Sequence, residues 1–119
     1  MMKRAIELSL LIVGCCFLFL AACTEKPYSI DRPLTPQELH GQRLFVQTCR
    51  NCHWPDSDRP LSGPGLAAVF RKQFLPSGRP ANDDIVRQTI ISGRMNMPSY
   101  RDVFTDGQLA DVLAYLHTL

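Results

Sequence analysis

The sequence has no large excess of either charge and no long run of like charges. Lys and Arg total 13 and Asp and Glu 11 over 119 residues. No basic stripe interleaved with aromatics is present either, so nucleic acid has no support as a partner. No segment alternates apolar and polar residues with a period of two, which removes a sheet as the organising element. Internal repeats and low-complexity tracts are missing as well, and a repeat architecture goes with them. A chain of this length supports one domain once any targeting segment is removed.

The first 23 residues read as an export signal. Met1, Met2, Lys3 and Arg4 are followed by a run from Leu8 to Cys23 without a charge, ending in the small residues Ala21 and Ala22. The run falls a little short of the roughly 20 apolar residues that span a bilayer. Leu20-Ala21-Ala22-Cys23 resembles the lipobox of bacterial lipoproteins, in which the cysteine becomes the first mature residue and carries acyl chains. An A-x-A cleavage site and an uncleaved anchoring helix are the alternatives. The expectation is a signal peptide at 1–22, a lipid-anchored linker at 23–34 and a domain at 35–119. Cys23 then holds the chain to a membrane on the periplasmic side, and Thr24 after it points to the outer membrane. Two or more acyl chains anchor firmly where one does not.

Cys15 and Cys16 lie inside the apolar run and leave with the signal, so the mature chain keeps Cys23, Cys49 and Cys52. With Cys23 acylated a single thiol pair remains, which excludes a framework of several disulfides. Removing residues 1–22 leaves eleven basic and ten acidic side chains, a nearly neutral domain. Thr24 to Pro36 carries Pro27, Pro33 and Pro36 and suits an extended spacer of roughly 40 Å, at about 3.1 Å per residue.

Three helices are expected. Thr35-Pro36 with Glu38 forms a capping box and a proline start, and Leu39, Arg43, Leu44 and Phe45 continue at helical spacing to Cys49. Trp54 to Gly65 contains Pro55, Pro60, Gly63 and Pro64 and reads as a wrapping loop. A short helical turn fits Leu66, Ala67, Val69 and Phe70, and a second break covers Pro76 to Pro80. Asn82 or Asp83 caps the next helix, with Ile85, Val86, Thr89 and Ile90 apolar or small and Gly93 at its end. Thr105 and Gln108 form another capping box ahead of the stripe Leu109, Val112, Leu113 and Leu116.

Cys49-Arg50-Asn51-Cys52-His53 is a C-x-x-C-H sequence, the attachment signal for c-type haem. On a helix, positions three apart share a face. Cys49 and Cys52 can therefore bond two vinyl groups along one porphyrin edge while His53 lies beneath the iron. A zinc site is the first alternative, but it wants four ligands, and His40 and His117 are not at finger spacing. A thioredoxin-like dithiol is the second, but it requires a βαβ context that this helical sequence lacks.

With these residues the chain resembles the small monohaem class I cytochromes c over about residues 35 to 119. Gly41 and Phe45 match the family's first helix, where the glycine admits a close crossing by the last helix at Val112, Tyr115 and Leu116. Gly63-Pro64-Gly65-Leu66 resembles the loop whose proline carbonyl accepts the proximal histidine's second N–H. Met97-Pro98 resembles the distal-ligand loop, with Met95 as the local rival. The resemblance implies an all-α cytochrome c fold, three main helices and loops wrapped around one covalent haem c. It implies Cys49, Cys52, His53, Pro64 and Met97 as the cofactor-binding residues, with His53 and Met97 on the iron. Trp54 and Pro55, directly after the histidine, are less usual in that family.

Asn96 and Tyr100 are candidate donors near the ligand sulfur or a propionate. Arg71, Lys72, Arg94 and Arg101 are candidate partners for propionates or for a docking protein, with solvated surface charge as the bland reading. The function expected is single-electron transfer between donor and acceptor proteins, with no substrate chemistry. The alternatives are a haem enzyme or sensor that binds a peroxide or a diatomic gas at an openable distal position, and an electron-input subunit of a larger oxidase or dehydrogenase.

Overall fold

The computed structural model describes residues 32–119. The signal segment, Cys15, Cys16, the lipobox Cys23 and most of the linker lie outside the described residues. Among the described residues no helix is long and apolar enough to cross a membrane.

Three α-helices organise the domain: α1 (Pro36–Thr48), α2 (Asp83–Ser92) and α3 (Asp106–Leu116), with one 3-10 turn at Val69–Arg71 and no strand among the described residues. Each helix starts as its local chemistry dictates. The Thr35 hydroxyl accepts the Glu38 N–H at 3.3 Å while the Glu38 carboxylate accepts the Thr35 N–H at 2.7 Å. The same reciprocal box joins Thr105 and Gln108. Asn82 rather than Asp83 caps α2, its side-chain oxygen accepting the Ile85 N–H at 3.0 Å. Asp83 sits one position further on, in the first turn, where a carboxylate favours the positive end of the helix dipole. Gly93 is the C-cap of α2 at φ 69°.

The principal packing is α1 across α3, with α2 touching α3 more lightly. The crossing is close because residue 41 is glycine: a Cβ there would overlap the Asp111 carbonyl and lie 3.0 Å from Tyr115 Cβ. One turn on, Phe45 is 1% exposed and meets the Tyr115 ring at 5.4 Å between centroids, tilted by 58°. Tilted pairs of this kind add about 0.5–1.5 kcal/mol beyond their buried area. Leu109, Val112, Leu113 and Leu116 are all buried, as the stripe required. Leu39 is 40% exposed. It stands two residues before Gly41, about 200° around the helix at 3.6 residues per turn, and so points away from the crossing.

Two His–Asp contacts tie α3 to the other helices. His40 on α1 donates from Nδ1 to Asp111 Oδ2 at 2.6 Å, and His117, the C-cap residue of α3, donates from Nε2 to Asp83 Oδ1 at 2.8 Å. The His117 ring also stacks on Phe70 at 3.9 Å between centroids. Neither histidine belongs to a metal cluster, and among the described residues no group of three His, Cys, Asp or Glu side chains is placed to hold a metal ion.

Candidate functional site

The C-x-x-C-H segment lies at the end of α1 and just past it. The helix ends at Thr48, Cys49 is its cap, and the chain then tightens into a single turn. The Phe45 carbonyl accepts both the Cys49 N–H at 2.8 Å and the Arg50 N–H at 3.0 Å, and the Cys49 carbonyl accepts Cys52 and His53 N–H groups at 3.0 Å each. The helix thus ends at its Cys49 cap, where its spacing predicted, and Cys52 and His53 lie on the turn that follows, whose bonds satisfy the last orphan carbonyls of the helix. The two thiols still share one side, since both line the same cavity.

The loop after His53 folds back onto this turn. Gly63 N–H donates to the Cys52 carbonyl and Leu66 N–H to the Trp54 carbonyl, each at 2.8 Å. The Arg50 guanidinium lies 4.1 Å from the centre of the Trp54 ring, a cation–π contact that holds the residue after the histidine. Trp54, which the sequence left without a role, thus fixes the path of the loop through its backbone and its ring. This return brings Pro64 to the histidine: His53 Nδ1 is 2.8 Å from the Pro64 carbonyl oxygen. A carbonyl only accepts, so the proton is on Nδ1 and Nε2 is the nitrogen free to coordinate. Glycine is required beside it, because a Cβ at Gly63 would collide with the imidazole and lie 2.9 Å from Nδ1.

The segment that carries the two methionines is a tight turn. Arg94 N–H donates to the Met97 carbonyl at 3.0 Å and Met97 N–H returns to the Arg94 carbonyl at 2.9 Å, with Met95 at φ 51° on the tip. The two methionines differ in exposure, although both line the same cavity as the thiols. Met95 is 93% exposed, whereas Met97 is half-buried against the core.

Cys49, Cys52, His53, Pro64 and Met97 all line one cavity of about 460 Å³, within the range of small-molecule and cofactor sites. Six of the nine buried apolar core residues also line it: Phe45, Val69, Val86, Ile90, Val112 and Leu116. Leu75, Pro76 and Ser77 close another part of the wall. Pro76 and Ser77 belong to the predicted break at Pro76 to Pro80, and the one local hint of a wall there is the apolar pair Phe74-Leu75 just before it. Of the four candidate cations, Lys72 and Arg94 line the cavity, whereas Arg71 and Arg101 do not.

The electrostatics fit a haem cradle better than a dithiol. Burial, and then the neighbouring Cys52, pushes the Cys49 thiol up to about 11, whereas a disulfide oxidoreductase lowers its attacking thiol. Burial and the two thiols push the Tyr100 phenol up as well, which leaves it a hydrogen-bond donor at neutral pH. A porphyrin matches this donor set: paired thiols, an oriented imidazole, a thioether and apolar walls in one cavity.

Residues 36–116 match the family described as cytochrome c oxidase, cbb3-type, subunit III. The chain belongs to this cytochrome c family. It is also similar to a cytochrome c6-like protein of Nostoc sp., 26% identical over 100 residues that cover 84% of this chain and 82% of that protein. The cytochrome binds haem c covalently and is an electron-transfer protein. Its C-x-x-C-H turn has the spacing that attachment demands.

Proposed function

We propose that this cytochrome is a single-electron carrier tethered to a bacterial membrane on its periplasmic side, and not an enzyme. Cys49 and Cys52 form the two thioethers, His53 Nε2 is the proximal iron ligand and Met97 the distal one. Pro64 orients His53 through its carbonyl, which fixes the ring and raises its basicity. Acylated Cys23 is the anchor: residues 1–22 are removed, 23–34 form the tether, and 35–119 carry the haem. The outer membrane is the proposed destination.

The observation that carries this reading is that the oriented His53, both thiols and the half-buried Met97 line one apolar cavity. When bound, the haem supplies a one-electron couple, and methionine ligation favours its reduced state. The protein's own residues do the rest. The Met97 backbone is held by the two hydrogen bonds of its turn, and its thioether, once on the iron, would close the distal side to peroxide or gas. Buried apolar side chains exclude water and limit reorganisation around the metal. Donor and acceptor proteins meet the domain transiently, over a small interface, and the near-neutral charge gives little long-range steering.

Visible spectra of the purified protein, with and without carbon monoxide, test the assignment. A weak thioether-to-ferric-iron band and no carbon monoxide binding are expected. Ready binding without that band would transfer support to a ligand-binding haem.

A second reading is favoured by the description of the matched family as an oxidase subunit. In it the cytochrome is the electron-input subunit of a larger oxidase, with the same chemistry and a permanent partner. Native gels of gently solubilised membranes, stained for haem, separate the two: a carrier migrates alone, a subunit with its oxidase.

A further inference from the structure

Among the described residues the formally charged side chains that line the haem cavity are Lys72 and Arg94, and no carboxylate lines it. A haem brings two propionates, and a carboxylate taken from water needs a cation or several donors. Two cations and no competing acid therefore complement the group. The pair is not symmetric, however. The Lys72 ammonium is already ion-paired with the Asp58 carboxylate, so much of its charge is offset. The Arg94 guanidinium has no hydrogen bond or ion pair among the described residues, while its backbone is clamped to Met97 by two hydrogen bonds. Arg94 is thus fixed in register with the distal turn and carries an uncommitted planar fork, the geometry that matches a carboxylate in two places at once.

We propose that Arg94 is the principal propionate-binding residue of this cytochrome, and that Lys72, sharing its charge with Asp58, serves the second propionate. The proposal rests on the assignment of the haem to this cavity. A cation held there disfavours the extra positive charge of ferric iron and so raises the midpoint potential. Arg101 has the same charge but lies outside the cavity lining, which makes it the control.

The test uses the haem-loaded protein and four variants: Arg94→Gln, Arg94→Lys, Lys72→Gln and Arg101→Gln. Spectroelectrochemistry gives the midpoint potential, and resonance Raman gives the propionate bending band. Arg94→Gln is expected to lower the potential and shift the band, Arg94→Lys to restore most of the potential, and Arg101→Gln to move neither. Lys72→Gln should lower the potential by less than Arg94→Gln. An unmoved band and potential in Arg94→Gln, or an equal response in Arg101→Gln, overturns the proposal. Intact mass of the same preparations keeps the two levels apart: haem attached with an unchanged potential sinks the propionate assignment alone, whereas wild-type protein without covalent haem sinks the site assignment and this proposal with it.

Discussion

The carbonyl oxygen of Pro64 and Nδ1 of His53, eleven residues apart in sequence, lie 2.8 Å from each other. The contact exists because Gly63 leaves room for the imidazole. Gly63→Ala would place a methyl group in the ring and push it off the carbonyl. Overpacking of this kind costs about 1–3 kcal/mol, and loss of the hydrogen bond makes the imidazole a weaker donor. The expected outcome is a holoprotein destabilised by that amount in guanidinium titrations, with a midpoint potential above wild type.

The two methionines of the distal turn differ in sequence context, since Pro98 follows Met97 alone, and in exposure as well, and the difference predicts different responses. Met97→Ala should remove the thioether-to-ferric band and lower the potential. Met95→Ala, at a position 93% exposed, should leave both in place. Absorption spectra and redox titrations of the two variants decide the matter, and the reverse pattern would reassign the ligand.

Much of this was legible because it is local. Capping boxes at Thr35–Glu38 and Thr105–Gln108 are set by residues three apart, and the C-x-x-C-H spacing carries its own chemistry. The α3 stripe was legible too, since a helix that buries one face must repeat its apolar residues at helical period. What the sequence could not give was long-range. The Asn82 cap was ambiguous with Asp83, because both side chains can accept from a helix N–H. The place of Leu75 in the cavity wall depends on a loop returning to the core. Helical spacing alone does not say which face of α1 meets α3, and Leu39 lies on the exposed side. That choice is made by Gly41, and only once the Asp111 backbone is seen against it.

That glycine gives a stability prediction independent of haem chemistry. Gly41→Ala forces α1 and α3 apart at their closest point, since the added Cβ overlaps the Asp111 carbonyl. Destabilisation of about 1–3 kcal/mol is expected. Phe45→Ala, which empties a position 1% exposed, should cost about 3–5 kcal/mol. Chemical denaturation of both holoproteins, followed by circular dichroism, measures the two values. A Gly41→Ala protein as stable as wild type would mean that the helices do not cross this closely.

The link between α1 and α3 should also appear in the pH dependence of stability. The hydrogen bond from His40 holds the Asp111 carboxyl below the usual aspartate value. The unfolded chain therefore binds this proton more readily than the folded one. Stability from the contact is complete above the unfolded-state pKa and is lost as pH falls through the folded value. Asp111→Asn should flatten the acid limb of a stability-versus-pH curve and leave the limb above neutrality unchanged. A variant whose acid limb matches wild type would show that the pair contributes nothing.

The core itself predicts what happens without the cofactor. Six of the nine buried apolar residues among the described residues line the cavity as well as packing in one cluster, so those side chains complete their packing on the porphyrin. A domain of this size has little other apolar surface with which to offset chain entropy. The contact of α1 on α3, through Gly41 and Tyr115, is a single helix pair, and α2 adds only a lighter contact with α3. A Cys49→Ser, Cys52→Ser double variant, unable to form thioethers, should therefore be largely unfolded, with far-ultraviolet circular dichroism well below that of the holoprotein. Native helical content with a cooperative thermal transition in that variant would show that the polypeptide packs without haem, and that the cavity is a preformed receptacle instead of an unfinished core.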